Sequence, residues 1–237
     1  MEAQMSRDQG GQTNDVILAL AGGSSIDRRP CEGRTNPLLV TVAARLARAG
    51  ISPNLISVTG VFFSVACALC LVLTPMVGSS AEAVLLLAAA TLLAARGLCN
   101  VLDGMVAIEG GMRTPAGAVF NELPERISDV VVLVALGYAI EPAWGHEAGW
   151  AAAALALLTA YVRVLGGALG VRQDFSGPMA KPRRVTILIA ACLMAAAQMA
   201  IQGTERVLEV ALILIAAGSL VTVYRRARRL CTELESR

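Results

Sequence analysis

Charge and aromatic side chains are scarce in this 237-residue chain: 16% of its residues are charged and 4% are aromatic. Histidine occurs once, at His146, which excludes a metal site built from imidazoles. Apolar residues make up 56% and the mean hydropathy is +0.64, whereas soluble domains have about 25% charged residues. This composition excludes a disordered protein, a disulfide-rich secreted scaffold and a soluble nucleic-acid binder. It predicts an all-α, polytopic membrane protein with no nucleic-acid partner.

Six apolar segments are predicted to cross the bilayer, since one span needs about 20 residues. They cover roughly residues 55–77, 83–107, 117–140, 148–171, 185–201 and 207–223. The chain is therefore predicted to have three parts: a flexible cytoplasmic tail (1–35), a membrane domain (36–224) and a basic cytoplasmic tail (225–237). No room is left for a separate soluble catalytic domain, so any chemistry must be built from the helices and their loops.

A short amphipathic helix is predicted before the first span. It begins at Asn36-Pro37, an N-cap followed by proline at the first helical position. Apolar residues repeat on one face between positions 38 and 46, with Arg45 and Arg48 at its edge. Such a helix is expected to lie along the membrane surface. The Gly-Ile-Ser-Pro-Asn sequence at 50–54 ends it.

Basic residues are concentrated in alternate loops. They lie before the first span, between the fourth and fifth spans, and after the sixth, whereas the intervening outer loops have almost none. Positive charge marks the cytoplasmic side of a membrane protein. We therefore expect a multi-pass protein of the plasma (inner) membrane, with both termini and the loop at 109–116 in the cytoplasm.

Polar side chains interrupt the second and third spans. A charge at the bilayer centre costs about 2.5–3.5 kcal/mol, and such residues normally face a polar cavity. If the two spans pack as adjacent antiparallel helices, their oxygen-bearing faces meet at the cytoplasmic end. Residues at spacings of three or four share a helical face: Asn100, Asp103 and Ala107 in the second span, and Asn121, Glu125 and Asp129 in the third.

Two interpretations of these polar faces are open on spacing alone. Carboxylate and amide oxygens are the ligands that Mg²⁺ and Mn²⁺ prefer, often shared with substrate phosphates. The alternative is structural: Asp103 pairs with Arg96, and Glu125 pairs with Arg126 or Asp129.

Residues 100–125 resemble the signature of the CDP-alcohol phosphatidyltransferase family, D-x2-D-G-x2-A-R-x8-G-x3-D-x3-D. The spacing is the same without a gap over 26 residues. Residues 51–60 also resemble the segment that leads into the family's first span. The identities differ at four positions: Asn100 and Asn121 replace the first and third Asp, Glu125 replaces the fourth, and Ile108 replaces the Arg.

The resemblance implies a transferase of phospholipid biosynthesis. Such an enzyme moves a phosphatidyl group from a CDP-linked lipid, such as CDP-diacylglycerol, to an alcohol and releases CMP. The resemblance also implies a homodimer and Mg²⁺ or Mn²⁺ as the cofactor. In the family, the four acidic positions of the signature hold two divalent ions, and the fourth also acts as the general base. By position, the resemblance therefore makes Glu125 the catalytic base and Asn100, Asp103, Asn121 and Glu125 the metal ligands.

The substrate contacts follow in part from the same resemblance. Positions that contact the nucleotide in the family are occupied here by Gly104, Ala107, Thr114 and Gly117. Basic residues elsewhere are predicted to bind a phosphate: Arg163 in the fourth span, and Lys181 and Arg184 in the following loop. The alternative is that this loop is basic only because cytoplasmic loops carry positive charge and are attracted to anionic lipid headgroups.

The four signature positions carry a charge of −2 instead of −4, which balances one divalent ion. A second ion would need the substrate pyrophosphate, Glu122 or Asp129, so we expect weak metal binding until a CDP substrate arrives. The substitutions leave open a catalytically silent homologue that binds a nucleotide-lipid or a membrane partner. A transporter is a third alternative, although transporter sites lie near the membrane midplane and these carboxylates lie at one end of their spans.

Overall fold

The computed structural model describes residues 36–112, 114, 116–140, 144–199 and 206–237. The predicted N-terminal tail, residues 1–35, lies outside this range. The described residues form seven α-helices and no β-strand, which confirms the all-α prediction. The helices are α1 (Pro37–Arg48), α2 (Pro53–Leu73), α3 (Ser79–Glu109), α4 (Gly117–Tyr138), α5 (Trp144–Ala168), α6 (Lys181–Met199) and α7 (Arg206–Glu235), with a 3-10 turn at Thr74–Met76.

The predicted start of α1 is confirmed. The Asn36 side chain accepts a hydrogen bond from the Leu38 N–H at 3.0 Å, and proline follows the cap. After α1 the chain turns at Gly50, whose φ of 73° lies in the left-handed region that favours glycine. Ser52 then caps α2 by accepting from the Leu55 N–H at 3.2 Å. Local capping chemistry therefore sets both boundaries of this turn.

Among the described residues, four helices are long and apolar enough to cross a membrane. They cover Pro53–Met76, Ser79–Ile108, Trp144–Ala168 and Arg206–Glu235. Only 33–39% of each apolar window is buried inside the protein, so much apolar surface remains outside the bundle, as a lipid-facing helix requires. The other two predicted spans correspond to α4, whose first half carries charged residues, and to α6, whose first turn is basic.

Helix α2 packs against both α3 and α4. Helix α3 also packs against α1 and α6, α5 packs against α4 and α7, and α6 packs against α7. In the described part of the chain, α3 and α4 are not among the closely packed pairs. The prediction of an adjacent antiparallel pair is therefore wrong in this detail. Long side chains such as Arg96 cross from α3 to α4 and fill the space between the backbones.

Helices α4 and α5 approach each other closely at three glycines. A Cβ atom added to Gly137 on α4 would lie 2.4 Å from the carbonyl oxygen of Gly145 and 2.8 Å from the Cα of Gly149, both on α5. Both are backbone atoms, so no side-chain rotation relieves the overlap. Small residues at helix interfaces allow such approach in membrane proteins.

Replacing Gly137 by alanine is expected to destabilise the protein by about 1–3 kcal/mol, because the two backbones must separate. Gly97→Ala in α3 is a matched control, since a Cβ there meets no atom within 4 Å, and it should be neutral or slightly stabilising. Thermal unfolding in detergent measures both variants. Equal melting temperatures would contradict the close contact.

The basic segment predicted as a C-terminal tail, residues 225–237, is helical as far as Glu235 and continues α7. Arg226 in this segment is buried. Its guanidinium donates to the carbonyl oxygen of Ser176 at 2.9 Å and to that of Thr159 at 2.7 Å. The end of α7 is thus part of the packed bundle.

Candidate active site

Asp103 is buried on α3 and bonded through both carboxylate oxygens. Oδ2 accepts from the Ser57 hydroxyl on α2 at 2.7 Å, and Oδ1 accepts from the Gly104 N–H at 2.6 Å. The alternative pairing of Asp103 with Arg96 is therefore wrong. Ser57 was not singled out from the sequence. It lies within residues 51–60, the second segment that resembles the family, so that segment was the available signal.

A second buried carboxylate, Asp129 on α4, is surrounded by guanidinium groups. Arg96 Nη2 lies 3.2 Å from Oδ1, and Arg184 Nη2 lies 2.8 Å from Oδ2. Arg126 Nη1 is 3.8 Å from Oδ2. Because the three arginines come from α3, α6 and α4, Asp129 links these helices. A buried charge requires such compensation.

Glu125 on α4 contacts two cations, one at each carboxylate oxygen. Arg126 Nη2 lies 2.6 Å from Oε2, and Lys181 Nζ contacts Oε1. The predicted pairing of Glu125 with Arg126 is therefore present. With the Asn100 amide oriented to satisfy its hydrogen bonds, its oxygen accepts from Lys181 Nζ and from Arg96 Nη1, each at 3.0 Å. Lys181 thus connects α6 to α3 and α4.

Arg163 on α5 is buried and reaches the same region through Glu122. Its Nη2 lies 2.7 Å and 2.6 Å from the two carboxylate oxygens of Glu122. Its Nη1 donates to the Gln173 side chain at 2.6 Å, and the guanidinium stacks 5.2 Å from the centre of the Phe175 ring. The predicted pocket-facing cation is therefore held in one orientation by three contacts.

The structure brings some predicted site residues together and leaves others apart. Contacts through shared partners join Asn100, Glu125, Lys181 and Arg184, whereas Asp103 is bonded to Ser57 and Gly104. Gly104 and Ala107 continue the Asp103 turn of α3, while the Gly117 N–H donates to the Thr114 carbonyl at 2.9 Å. Asn121 and Thr114 are exposed, and no side-chain hydrogen bond or ion pair within the described ranges joins either to the other residues.

We use the name polar cluster for the nine charged residues of this region. Its cations outnumber its carboxylates by five to four, and most members are buried. Excess buried positive charge requires an anionic partner. The carboxylates are Asp103, Glu122, Glu125 and Asp129, and the cations are Arg96, Arg126, Arg163, Lys181 and Arg184.

The loop at 172–180 borders the polar cluster. Arg229 on α7 donates to Asp174 Oδ2 at 3.1 Å, and Asp174 Oδ1 accepts from the Ser176 N–H at 2.7 Å. Burial acts to raise the pKa of Asp174, but the hydrogen bonds from Ser176 and Arg229 outweigh it and hold the pKa below its ordinary value. The loop therefore carries an ionised carboxylate at neutral pH.

A cleft of about 460 Å³ opens beside this loop. Arg183, Arg225 and Arg229 line it, together with the Phe175 ring that also stacks on Arg163. Phe175 thus contacts both the cleft and the polar cluster. The cleft offers a positively charged surface to anionic molecules from the aqueous phase.

The donor set suits one divalent cation rather than two. Within the described residues, no three His, Cys, Asp or Glu side chains come together as metal ligands. The signature positions hold two carboxylates, Asp103 on α3 and Glu125 on α4. Mg²⁺ is commonly held by one or two carboxylates and the phosphates of a substrate, so these two residues fit a single Mg²⁺ or Mn²⁺ ion.

No protein-family model matches the chain. The chain is, however, 30% identical over 196 residues to the phosphatidylinositol phosphate synthase of Mycobacteroides abscessus, a match that covers 81% of each protein. The chain belongs to the CDP-alcohol phosphatidyltransferase family. This match confirms the family predicted from residues 100–125. The chain is also 29% identical over 182 residues to an uncharacterized protein of Aquifex aeolicus.

Two crystal structures share the fold of this phosphatidyltransferase. The Mycobacterium tuberculosis phosphatidylinositol phosphate synthase with CDP-DAG bound has a TM-score of 0.68 and 26% identity, covering 82% of this chain and 94% of that one. The same synthase in complex with manganese and citrate has a TM-score of 0.67 and 27% identity, covering 82% and 89%.

The phosphatidyltransferase is thus a membrane enzyme of phospholipid biosynthesis. Like its family, it transfers a phosphatidyl group from a CDP-linked lipid to an alcohol with release of CMP, and it uses Mg²⁺ or Mn²⁺.

Proposed function

We propose that the enzyme transfers the phosphatidyl group of CDP-diacylglycerol to a phosphorylated polyol of the inositol phosphate type. The observation that carries this proposal is the excess of cations in the polar cluster. A pyrophosphate and an acceptor phosphate together supply the negative charge that such an excess requires. The names of the similar proteins, which are phosphatidylinositol phosphate synthases, support the same acceptor class.

In the proposed reaction, Asp103 and Glu125 hold the divalent ion together with the substrate pyrophosphate. The bound ion polarises the phosphate oxygens and stabilises the negative charge that develops on them. The predicted metal ligands Asn100 and Asn121 have different surroundings: the Asn100 oxygen accepts from two cations, and Asn121 is exposed. Their part in metal binding stays a prediction.

Glu125 acts as the general base toward the acceptor hydroxyl. An ionised carboxylate has about four lone-pair positions, and Lys181 and Arg126 use one at each oxygen, so positions remain for the hydroxyl proton. The alcohol oxygen forms a bond to the lipid-side phosphorus as the bond from that phosphorus to CMP breaks. Glu125 takes the proton, and CMP leaves with the bridging oxygen. The small residues Gly104, Ala107 and Gly117, with Thr114, provide the space for the nucleotide.

The acceptor phosphate is proposed to bind between Arg163 and Arg184. Both guanidinium groups are buried, so a phosphate contact there is only weakly screened by water. The acceptor enters through the cleft lined by Arg183, Arg225 and Arg229, because Phe175 lines the cleft and contacts Arg163.

We further propose that α2 to α7 form six spans of the plasma (inner) membrane, with α1 on the membrane surface. The basic loop positions support a cytoplasmic location for both termini and the polar cluster. A homodimer is proposed by analogy with the family alone.

The acceptor class is tested by incubating purified enzyme and Mn²⁺ with CDP-diacylglycerol and one acceptor at a time. CMP release is measured with inositol phosphate, glycerol phosphate, inositol and serine. Inositol phosphate is expected to exceed inositol by about 10- to 100-fold in kcat/KM, since a charge-assisted contact contributes about 1.5–3 kcal/mol. Equal kcat/KM for the two would contradict the acceptor class. No CMP release with any acceptor would favour a catalytically silent homologue.

The same panel is repeated with Arg163→Gln, which removes the proposed phosphate contact. Its control is Arg237→Gln, because the Arg237 guanidinium is exposed. Loss of Arg163 should remove most of the preference for the phosphorylated acceptor, while Arg237→Gln should keep it.

A further inference from the structure

Lys181 is the single lysine of the chain, and α6 begins at it. Its side chain is 5% exposed. Nζ contacts Glu125 Oε1 and lies 3.0 Å from the Asn100 amide oxygen. Asn100 and Glu125 occupy the first and fourth acidic positions of the signature, on α3 and α4. One ammonium group therefore joins two signature positions from different helices.

The signature has lost negative charge where this ammonium group lies. Asn100 and Asn121 each replace an aspartate of the family pattern, which removes two negative charges. Two negative charges are what one divalent ion neutralises. The Asn100 oxygen has two lone pairs, and both accept from cationic donors, Lys181 and Arg96. Both lone pairs of the Asn100 oxygen are therefore used by side-chain cations, where the family pattern has a metal-binding carboxylate.

The chemistry of an ammonium group suits it to this position. Lysine presents a compact charge with three N–H donors and is a common phosphate ligand. Two donors are directed to Glu125 and Asn100. Over the ranges that the structure describes, Nζ has no third bonded acceptor, so one donor is left for a phosphate oxygen in the polar cluster.

We propose that the Lys181 ammonium group takes the place of one of the two divalent ions that the family signature holds. The enzyme then needs one Mg²⁺ or Mn²⁺, held by Asp103, Glu125 and the substrate, and supplies its second cation from its own chain. This inference rests on the proposed function, because a CDP-linked substrate provides the remaining ligands.

The number of bound ions tests the inference without measuring activity. Full-length enzyme in detergent is titrated with Mn²⁺ in the presence of saturating CDP, and free Mn²⁺ is quantified by electron paramagnetic resonance. One ion per chain is expected. Two ions, or none, would overturn the inference. This measurement uses the unmodified chain, so it does not depend on whether a variant folds.

A pair of variants tests the part played by the lysine. Asn100→Asp and Asn121→Asp are combined with Lys181→Met in one chain and with Lys181→Arg in the other. The Met variant should bind two Mn²⁺ ions, whereas the Arg variant, which keeps the side-chain cation, should bind one. A Met variant that unfolds cooperatively and still binds one ion would overturn the inference.

A CMP-release assay on the same preparation separates the two proposals. Two bound ions with CMP release overturn the inference and leave the proposed function standing. One bound ion without CMP release supports the replacement of a divalent ion by Lys181 and overturns the proposed function.

Discussion

Replacing Glu125 by glutamine should lower the rate of CMP release by about 10²- to 10⁴-fold, the contribution of a positioned general base. The amide keeps the size of the side chain but cannot accept the hydroxyl proton. The substitution also removes one of the two carboxylates that are proposed to hold the divalent ion. Initial rates with saturating CDP-diacylglycerol and acceptor measure the effect on kcat.

Glu125→Asp and Glu209→Gln are the controls for this substitution. Aspartate keeps the carboxylate and is the residue of the family pattern, so its rate should exceed that of the glutamine variant at least tenfold. Glu209 lies in the first turn of α7, whereas Arg229, which lines the cleft, lies near the other end of that helix. Replacing Glu209 by glutamine should therefore leave the rate unaltered. A folded Glu125→Gln variant within threefold of the wild-type rate would contradict the role of Glu125 as the base.

Asp129→Asn is expected to lower the free energy of unfolding by about 3–5 kcal/mol. Removing one partner of a buried ion pair leaves uncompensated charge in a region of low dielectric constant. Here Arg96 and Arg184, each 3% exposed, lose their shared carboxylate. Asparagine has the same shape as aspartate, so the decrease in the free energy of unfolding measures the effect of the lost charge rather than of changed packing. Thermal or denaturant unfolding in detergent gives the difference.

Glu233→Gln provides the comparison for a surface charge. Glu233 is about half exposed and lies 3.9 Å from Arg237, and such pairs contribute about 0–1 kcal/mol. Its substitution should change stability by less than about 0.5 kcal/mol. If Asp129→Asn were no more destabilising than Glu233→Gln, the arginines around Asp129 would not depend on its charge.

Local chemistry made much of the helical framework predictable. Asn36-Pro37 and Ser52-Pro53 form helix starts in the structure because a side-chain cap and a proline act within one turn. The spacing from Asn100 to Glu125 was sufficient to predict the family, which the similarity to a phosphatidylinositol phosphate synthase confirms. The all-α fold follows from the length of the apolar runs.

The partners within the polar cluster were not predictable from spacing. Arg96 pairs with Asp129, 33 residues away, rather than with Asp103, seven residues away on its own helix. Lys181 was predicted to bind phosphate, and nothing in the sequence placed it against Glu125 and Asn100. Such contacts depend on how α3, α4 and α6 pack, which the local pattern does not determine.

The ion pairs that join α3, α4 and α6 at Asp129 form in stages while the polypeptide is being synthesised. Arg184 follows Asp129 by 55 residues, and ribosomes add about 5–20 residues per second, so roughly 3–11 s separate the synthesis of the two partners. During that interval only Arg96 and Arg126 have been made to neutralise the carboxylate. The set of ion pairs around Asp129 is therefore incomplete until α6 has been made.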